Sequence, residues 1–165
     1  MALLVQKFGG TSVGSVERIQ AVAERIGRCR DEGHAVVVVV SAMGHTTDEL
    51  TGLAAAINAS PPQREMDMLL ASGEQVSIAL LAMALHQQGV AAVSMTGPQV
   101  GIVTESIHGR ARILEIRTDR IRNQLNEGRV VVVAGFQGTS SGPGGIAEIT
   151  TLGRGGSDTS AVALA

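Results

Sequence analysis

Residues 36–40 are five consecutive valines, β-branched throughout and with no polar alternation. A strand with one wet face alternates apolar and polar side chains, so an unbroken run requires both of its faces to be covered. That places the segment inside a parallel sheet with helices on either side. Further apolar runs at 3–5 and 130–134, and a weaker one at 91–95, read as companion strands. Between them lie helical patterns. Val16, Ile19, Val22, Ala23 and Ile26 recur at helical spacing after Ser15, and Gly33 stops the segment. Thr46 followed by Glu49 predicts a capping box opening a second helix. Pro61-Pro62 breaks the chain before a third helical stretch at 65–71, for which Ser72-Gly73 predicts an interruption. Glu74 then starts a longer helix through Ile78, Leu81, Ala82 and Leu85 to Gly89, and Thr118-Asp119 opens another that carries Ile121 and Leu125. Residues 111–116 fit strand or helix and are assigned strand, because Thr118 caps a fresh helix behind them. The Gly-, Ser- and Thr-rich stretch 135–156 predicts a small hairpin around 146–151. Strands alternating with helices in this order make right-handed βαβ units and an open, mostly parallel α/β sheet, with no second-domain boundary.

Composition narrows the function. A formal charge of −2 gives no electrostatic basis for binding nucleic acid, and without Trp or Tyr there is little base-stacking surface. The single cysteine, Cys29, excludes an internal disulfide and fits a reducing compartment. The N-terminus lacks a basic region followed by an apolar run, and no apolar stretch reaches the roughly 20 residues that span a bilayer. The expectation is a cytoplasmic protein with no membrane partner, acting on a small molecule.

Open parallel sheets bind ligands at the carboxyl ends of their strands. Three polar or glycine-rich loops follow strong strands here, at 7–14, 41–47 and 135–145, and a fourth, 153–158, opens onto a helix N-terminus that favours an anion. Lys7 is the only lysine among thirteen basic residues and enters the first glycine loop, where a compact charge suits phosphate; arginine-rich coding bias is the alternative. There is no glycine-lysine pair for a Walker A loop, and the glycines after Gly153 do not follow the dinucleotide fingerprint. His34, His45, His86 and His108 are scattered, so no metal-ligand spacing is present, and Ser72-Gly73-Glu74 lacks a nucleophile elbow. From position alone Glu74 reads as a helix-start acid complementing the dipole, the alternative being a carboxylate that holds a substrate ammonium. Arg154 has little packing to do among glycines and matches a carboxylate bidentately.

Five segments in order resemble the successive motifs of the aspartokinase family: Lys7-Phe8-Gly9-Gly10-Thr11-Ser12-Val13; Ser41-Ala42-Met43-Gly44 with Thr46-Thr47-Asp48; Ser72-Gly73-Glu74; Gly135-Phe136-Gln137-Gly138; and Gly153-Arg154-Gly155-Gly156-Ser157-Asp158-Thr159. They span the chain. The resemblance implies the amino acid kinase fold, a three-layer αβα sandwich, and phosphoryl transfer from ATP, with its Mg2+, to the β-carboxylate of L-aspartate in a homo-oligomeric enzyme. It implies that Lys7 neutralises the transferring phosphoryl group and that Phe8, Gly9, Gly10 and Ser41 lie at the nucleotide phosphates. Thr47, Asp48, Glu49, Glu74, Thr151, Leu152, Gly153, Arg154 and Ser157 would hold aspartate, Glu74 taking the α-ammonium and Arg154 the α-carboxylate. Asp158 would position Lys7. No resident metal site is implied. The apolar helix that starts at 157–165 and then stops, with no match to the family's nucleotide half or its regulatory ACT domains, leads to the expectation that these residues are the N-terminal portion of a catalytic domain and inactive alone.

Overall fold

The computed structural model describes residues 2–165. The valine block forms β2 (Ala35–Val40), which pairs in parallel with β1 (Leu3–Phe8) on one side and β6 (Val130–Ala134) on the other; β3 (Ala92–Met95) completes a four-stranded parallel sheet in the order β1-β2-β6-β3. Val36, Val38 and Val40 face one hydrophobic cluster, and Val37 and Val39 face another. Each is 2% exposed or less, which is worth roughly 2 kcal/mol per side chain.

The first cluster is closed by α1 (Val16–Asp31), through Ile19, Val22, Ala23 and Ile26, and by α3 (Gln63–Gln87), through Ile78, Leu81, Ala82 and Leu85. The second is closed by Ile121 of α4 (Asp119–Asn126), with Ala161 and Leu164 of α5 (Gly156–Leu164) packed at its margin. Helices therefore lie on both faces, giving the αβα sandwich. The short helix α2 (Thr46–Ile57) buries no residue.

A second, mixed sheet was not foreseen. It runs β5-β4-β7-β8, where β4 is Ile102–Thr104, β5 Ile113–Ile116, β7 Gln137–Ser141 and β8 Ala147–Thr151. The hairpin expected around 146–151 is β7–β8, antiparallel, and the strand assigned at 111–116 is β5. Three residues of β4 carry no periodicity, which is why it escaped detection.

Two local expectations are corrected. Helix α3 runs unbroken through Ser72-Gly73, so Glu74 sits mid-helix rather than at a helix start. Gly73 serves as a close approach: a Cβ there would lie 2.9 Å from Ala42 Cβ. Nor does the Thr46–Glu49 capping box form, because α2 begins with Thr46 inside the helix and His45 at the cap, with no side-chain cap bond. Gly73→Ala is therefore expected to lower stability. The helical preference for alanine, about 1 kcal/mol, is outweighed by an overpacking cost of about 1–3 kcal/mol against Ala42. Thermal unfolding should show a Tm lowered by a few degrees, and a raised Tm would mean that Ala42 yields freely.

By length and composition alone α3 would be long enough to cross a membrane. Its inward face is packed on the sheet and carries the buried acids Asp67 and Glu74, which mark a core helix.

Candidate active site

The carboxyl ends of β1, β2 and β6 release the chain into loops that meet the start of α5 and enclose a cavity of about 300 Å³. Lys7 lines it from the end of β1 and Gly10 from the loop that follows, Ser41, Ala42 and Gly44 from the second loop, Thr47 from the first turn of α2, and Glu74 from α3. Phe136 and residues 153–158 supply the remaining wall. An adjoining cavity of about 530 Å³ shares Thr47, Phe136, Gly153 and Arg154 and adds Asp48, Asp67 and Thr151.

Loop contacts explain the glycines. Gly44 N–H donates to Gly10 O at 2.9 Å, and a Cβ on Gly10 would stand 2.7 Å from Ala42 O, so the first two loops can touch only without a side chain there. Lys7 Nζ lies 2.8 Å from Asp158 Oδ1. The Asp158 side chain is 70% exposed, so the pair adds little to stability. It holds an ammonium over the glycine loop.

Helix α5 is capped by Gly155 at φ 76°, which puts Ser157 in the first turn instead of at the cap. Its hydroxyl is thereby available to the Ser41 hydroxyl, which donates to it at 2.8 Å and ties the β2 loop to α5.

Glu74 is 3% exposed. Its Oε1 accepts the Ala42 N–H at 3.3 Å, while its buried Oε2 has no partner. Desolvation pushes its pKa from the ordinary 4.5 up to about 7, against the smaller opposing pull of its own and the Ala42 backbone N–H groups. A carboxylate oxygen left without a donor, on a residue that lines the cavity, fits a cationic group. Arg154 is exposed and lines both cavities. Acid and guanidinium around one space complement a zwitterion.

Of the remaining candidates, Asp48, Thr151 and Gly153 border the adjoining cavity. The Thr151 hydroxyl donates to Asp67 Oδ1. Phe8, Gly9, Glu49 and Leu152 line neither cavity. Phe8 is buried in the core with the Arg25 guanidinium over its ring, and Leu152 N–H donates to Phe136 O. Glu49 is exposed on α2.

Two residues went unassigned in the sequence. Phe136 has φ 72°, the one non-glycine positive φ among the described residues, held by its N–H to Ser160 Oγ and its C=O to Leu152 N–H. An aromatic residue in that region is strained, and such strain concentrates at functional sites. Its sequence signal is its place in the Gly135-Phe136-Gln137-Gly138 segment, to which no role is attached. Asp67 is the other; it gave no signal.

Residues 2–165 match the amino acid kinase family. The chain is 65% identical, over all 165 residues, to an aspartokinase of Bacillus sp. (strain MGA3), of which it covers 39%. Among solved structures, the aspartate kinase from Synechocystis is 58% identical with a TM-score of 0.81, over 99% of this chain and 26% of that one. E. coli aspartokinase III in complex with aspartate and ADP is 25% identical with a TM-score of 0.77, over 96% of this chain and 45% of that one. The chain thus spans less than half the length of each of these relatives. With the match running from end to end over a parallel sheet whose loops enclose Lys7, Glu74 and Arg154, the chain belongs to the amino acid kinase family.

Proposed function

We propose that these residues are the N-terminal portion of the catalytic domain of a cytoplasmic aspartate kinase. They form the part that holds L-aspartate and the transferring phosphoryl group. The observation that carries this reading is the cavity in which a buried, half-satisfied Glu74 carboxylate and the Arg154 guanidinium stand beside Lys7. Glu74 takes the α-ammonium, Arg154 with Ser157 the α-carboxylate, and Thr47 borders the side chain. The solved relative described as a complex with aspartate and ADP supports the same pair of ligands.

A β-carboxylate oxygen of aspartate attacks the γ-phosphorus of ATP, the bond to the bridging oxygen breaks, and ADP leaves as 4-phospho-L-aspartate forms. The nucleophile is already ionised at neutral pH, so no general base is needed. Catalysis reduces to positioning and charge neutralisation. Lys7 offsets the charge on the phosphoryl oxygens, the Gly9-Gly10 turn presents backbone N–H groups, and Asp158 fixes the Lys7 ammonium. Magnesium entering with the nucleotide would supply further charge neutralisation. The product belongs to the entry step of lysine, threonine and methionine synthesis. A homo-oligomer would have a ready face in Val76, Leu80 and Met83, which lie exposed on one side of α3.

The test is an ADP-release assay on the intact gene product with aspartate or glutamate, together with calorimetry. Aspartate-dependent turnover is expected, with Arg154→Ala weakening aspartate binding on the order of 100-fold through loss of a bidentate charged contact. Equal use of glutamate would point to a different acceptor. Absence of both turnover and Arg154-dependent heat would leave a non-catalytic module.

A further inference from the structure

Asp67 lies on α3, 1% exposed, and accepts hydrogen bonds from two other parts of the fold. Its Oδ1 takes the Thr151 hydroxyl at 2.6 Å and the Gly109 N–H at 3.0 Å; its Oδ2 takes the His108 ring Nδ1 at 2.7 Å and the same Gly109 N–H at 3.2 Å. Thr151 ends β8, three residues before Arg154. Between them the chain passes Gly153 at φ 82°, and beyond Arg154 comes Gly155 at φ 76°. A side chain hung between two left-handed glycines is not fixed by its own backbone preferences. What holds this segment is its anchors: α5 on one side, Thr151 on the other. Gly153 also packs against the loop that Asp67 holds, since a Cβ there would stand 3.2 Å from Gly109 O. Ala111 N–H closes the arrangement by donating to Thr151 O at 2.9 Å.

We propose that Asp67 is a positioning residue for substrate: by clamping Thr151 and the His108-Gly109 turn to α3, it sets where Arg154 meets the substrate carboxylate. A buried carboxylate with four acceptor contacts is more than packing requires, because an apolar side chain would fill the same volume. This rests on the aspartate kinase reading, and it concerns one arm of that site only. The nucleotide phosphates are met by Lys7 and the glycine loop, which Asp67 does not touch.

Steady-state kinetics on the intact gene product separate the two arms. Asp67→Ala should raise KM for aspartate on the order of 30-fold, as expected for a contact displaced by about 1 Å, and leave KM for ATP within about twofold. Asp67→Asn, which keeps one acceptor oxygen for Thr151 and Gly109, should recover most of the loss. If Asp67→Ala does not fold, His108→Ala decides: it removes one partner outside both cavities and should raise KM for aspartate about fivefold, again without moving that for ATP. A folded variant with both constants unchanged, or with both raised alike, overturns the assignment while leaving the proposed function standing. A wild-type protein without aspartate-dependent turnover overturns both.

Discussion

Lys7→Ala in the intact gene product is expected to lower kcat by roughly 10³-fold or more, because the ammonium offsets charge that develops on the phosphoryl oxygens. The Kd for aspartate should change by less than about threefold. That separation follows from the geometry: Lys7 reaches Asp158 at 2.8 Å over the glycine loop, whereas the groups assigned to the amino acid are Glu74 and Arg154. Stability should hardly move. The ion pair lost is between side chains 30% and 70% exposed, and such pairs contribute about 1 kcal/mol at most. Lys7→Arg should not restore activity, since a planar guanidinium does not reproduce a compact ammonium in a loop packed this closely. Calorimetry with aspartate beside single-turnover assays with ATP distinguishes the outcomes. Parallel loss of binding and turnover would make Lys7 a structural residue.

Glu74→Gln should have opposite effects on stability and on binding. Below pH 4.5 the carboxyl is neutral in folded and unfolded chains alike, and the substitution is close to silent. As pH rises from 4.5 to about 7, the unfolded carboxyl ionises while the buried one resists, so the folded state loses stability progressively. Above about 7 the full penalty, on the order of 3 kcal/mol, has accumulated. Glutamine removes it. At pH 8 the variant should unfold at a higher temperature than the wild type, and at pH 4 the two should coincide. Aspartate binding moves the other way. An α-ammonium requires the ionised carboxylate, so wild-type affinity should climb about tenfold per pH unit up to pH 7 and then level off. Binding near pH 6 should release a proton, visible as buffer-dependent heat. The glutamine variant should bind 30-fold or more weakly with that pH dependence abolished. Unchanged affinity in Glu74→Gln would remove Glu74 from the substrate site.

Five valines in a row were enough to place a doubly covered parallel strand, since no other environment accepts β-branched side chains on both faces. The same periodicity located α1 and α4 closely. It failed at Ser72-Gly73, where glycine read as a breaker is a contact point against Ala42, a distinction that only the neighbouring loop could reveal. It failed again at β4, whose three residues draw their conformation from sheet partners and not from their own pattern. At the site, Lys7, Ser41, Arg154, Ser157 and Asp158 were legible from glycine loops at strand ends and from motif order, and they meet in one cavity. Glu74 was legible from motif order alone and not from position, because its chemistry comes from burial. Asp67 was invisible, and Phe136 carried a motif but no role, for a related reason: the partners that define them lie 41 and 84 residues away for Asp67 and 24 for Phe136.

The continuity of α3 gives the site a ruler. Asp67 and Glu74 stand seven residues apart on one helix, two turns and about 10 Å along a common face. The two carboxylates therefore keep a fixed spacing and a fixed relative direction, set by helical rise and not by loop conformation. One residue inserted or deleted between them would turn one acid about 100° away from its cavity, whereas the turn between β7 and β8 can change length without touching either. Divergence in this protein should accordingly run through its hairpin and leave the residue count from Asp67 to Glu74 alone.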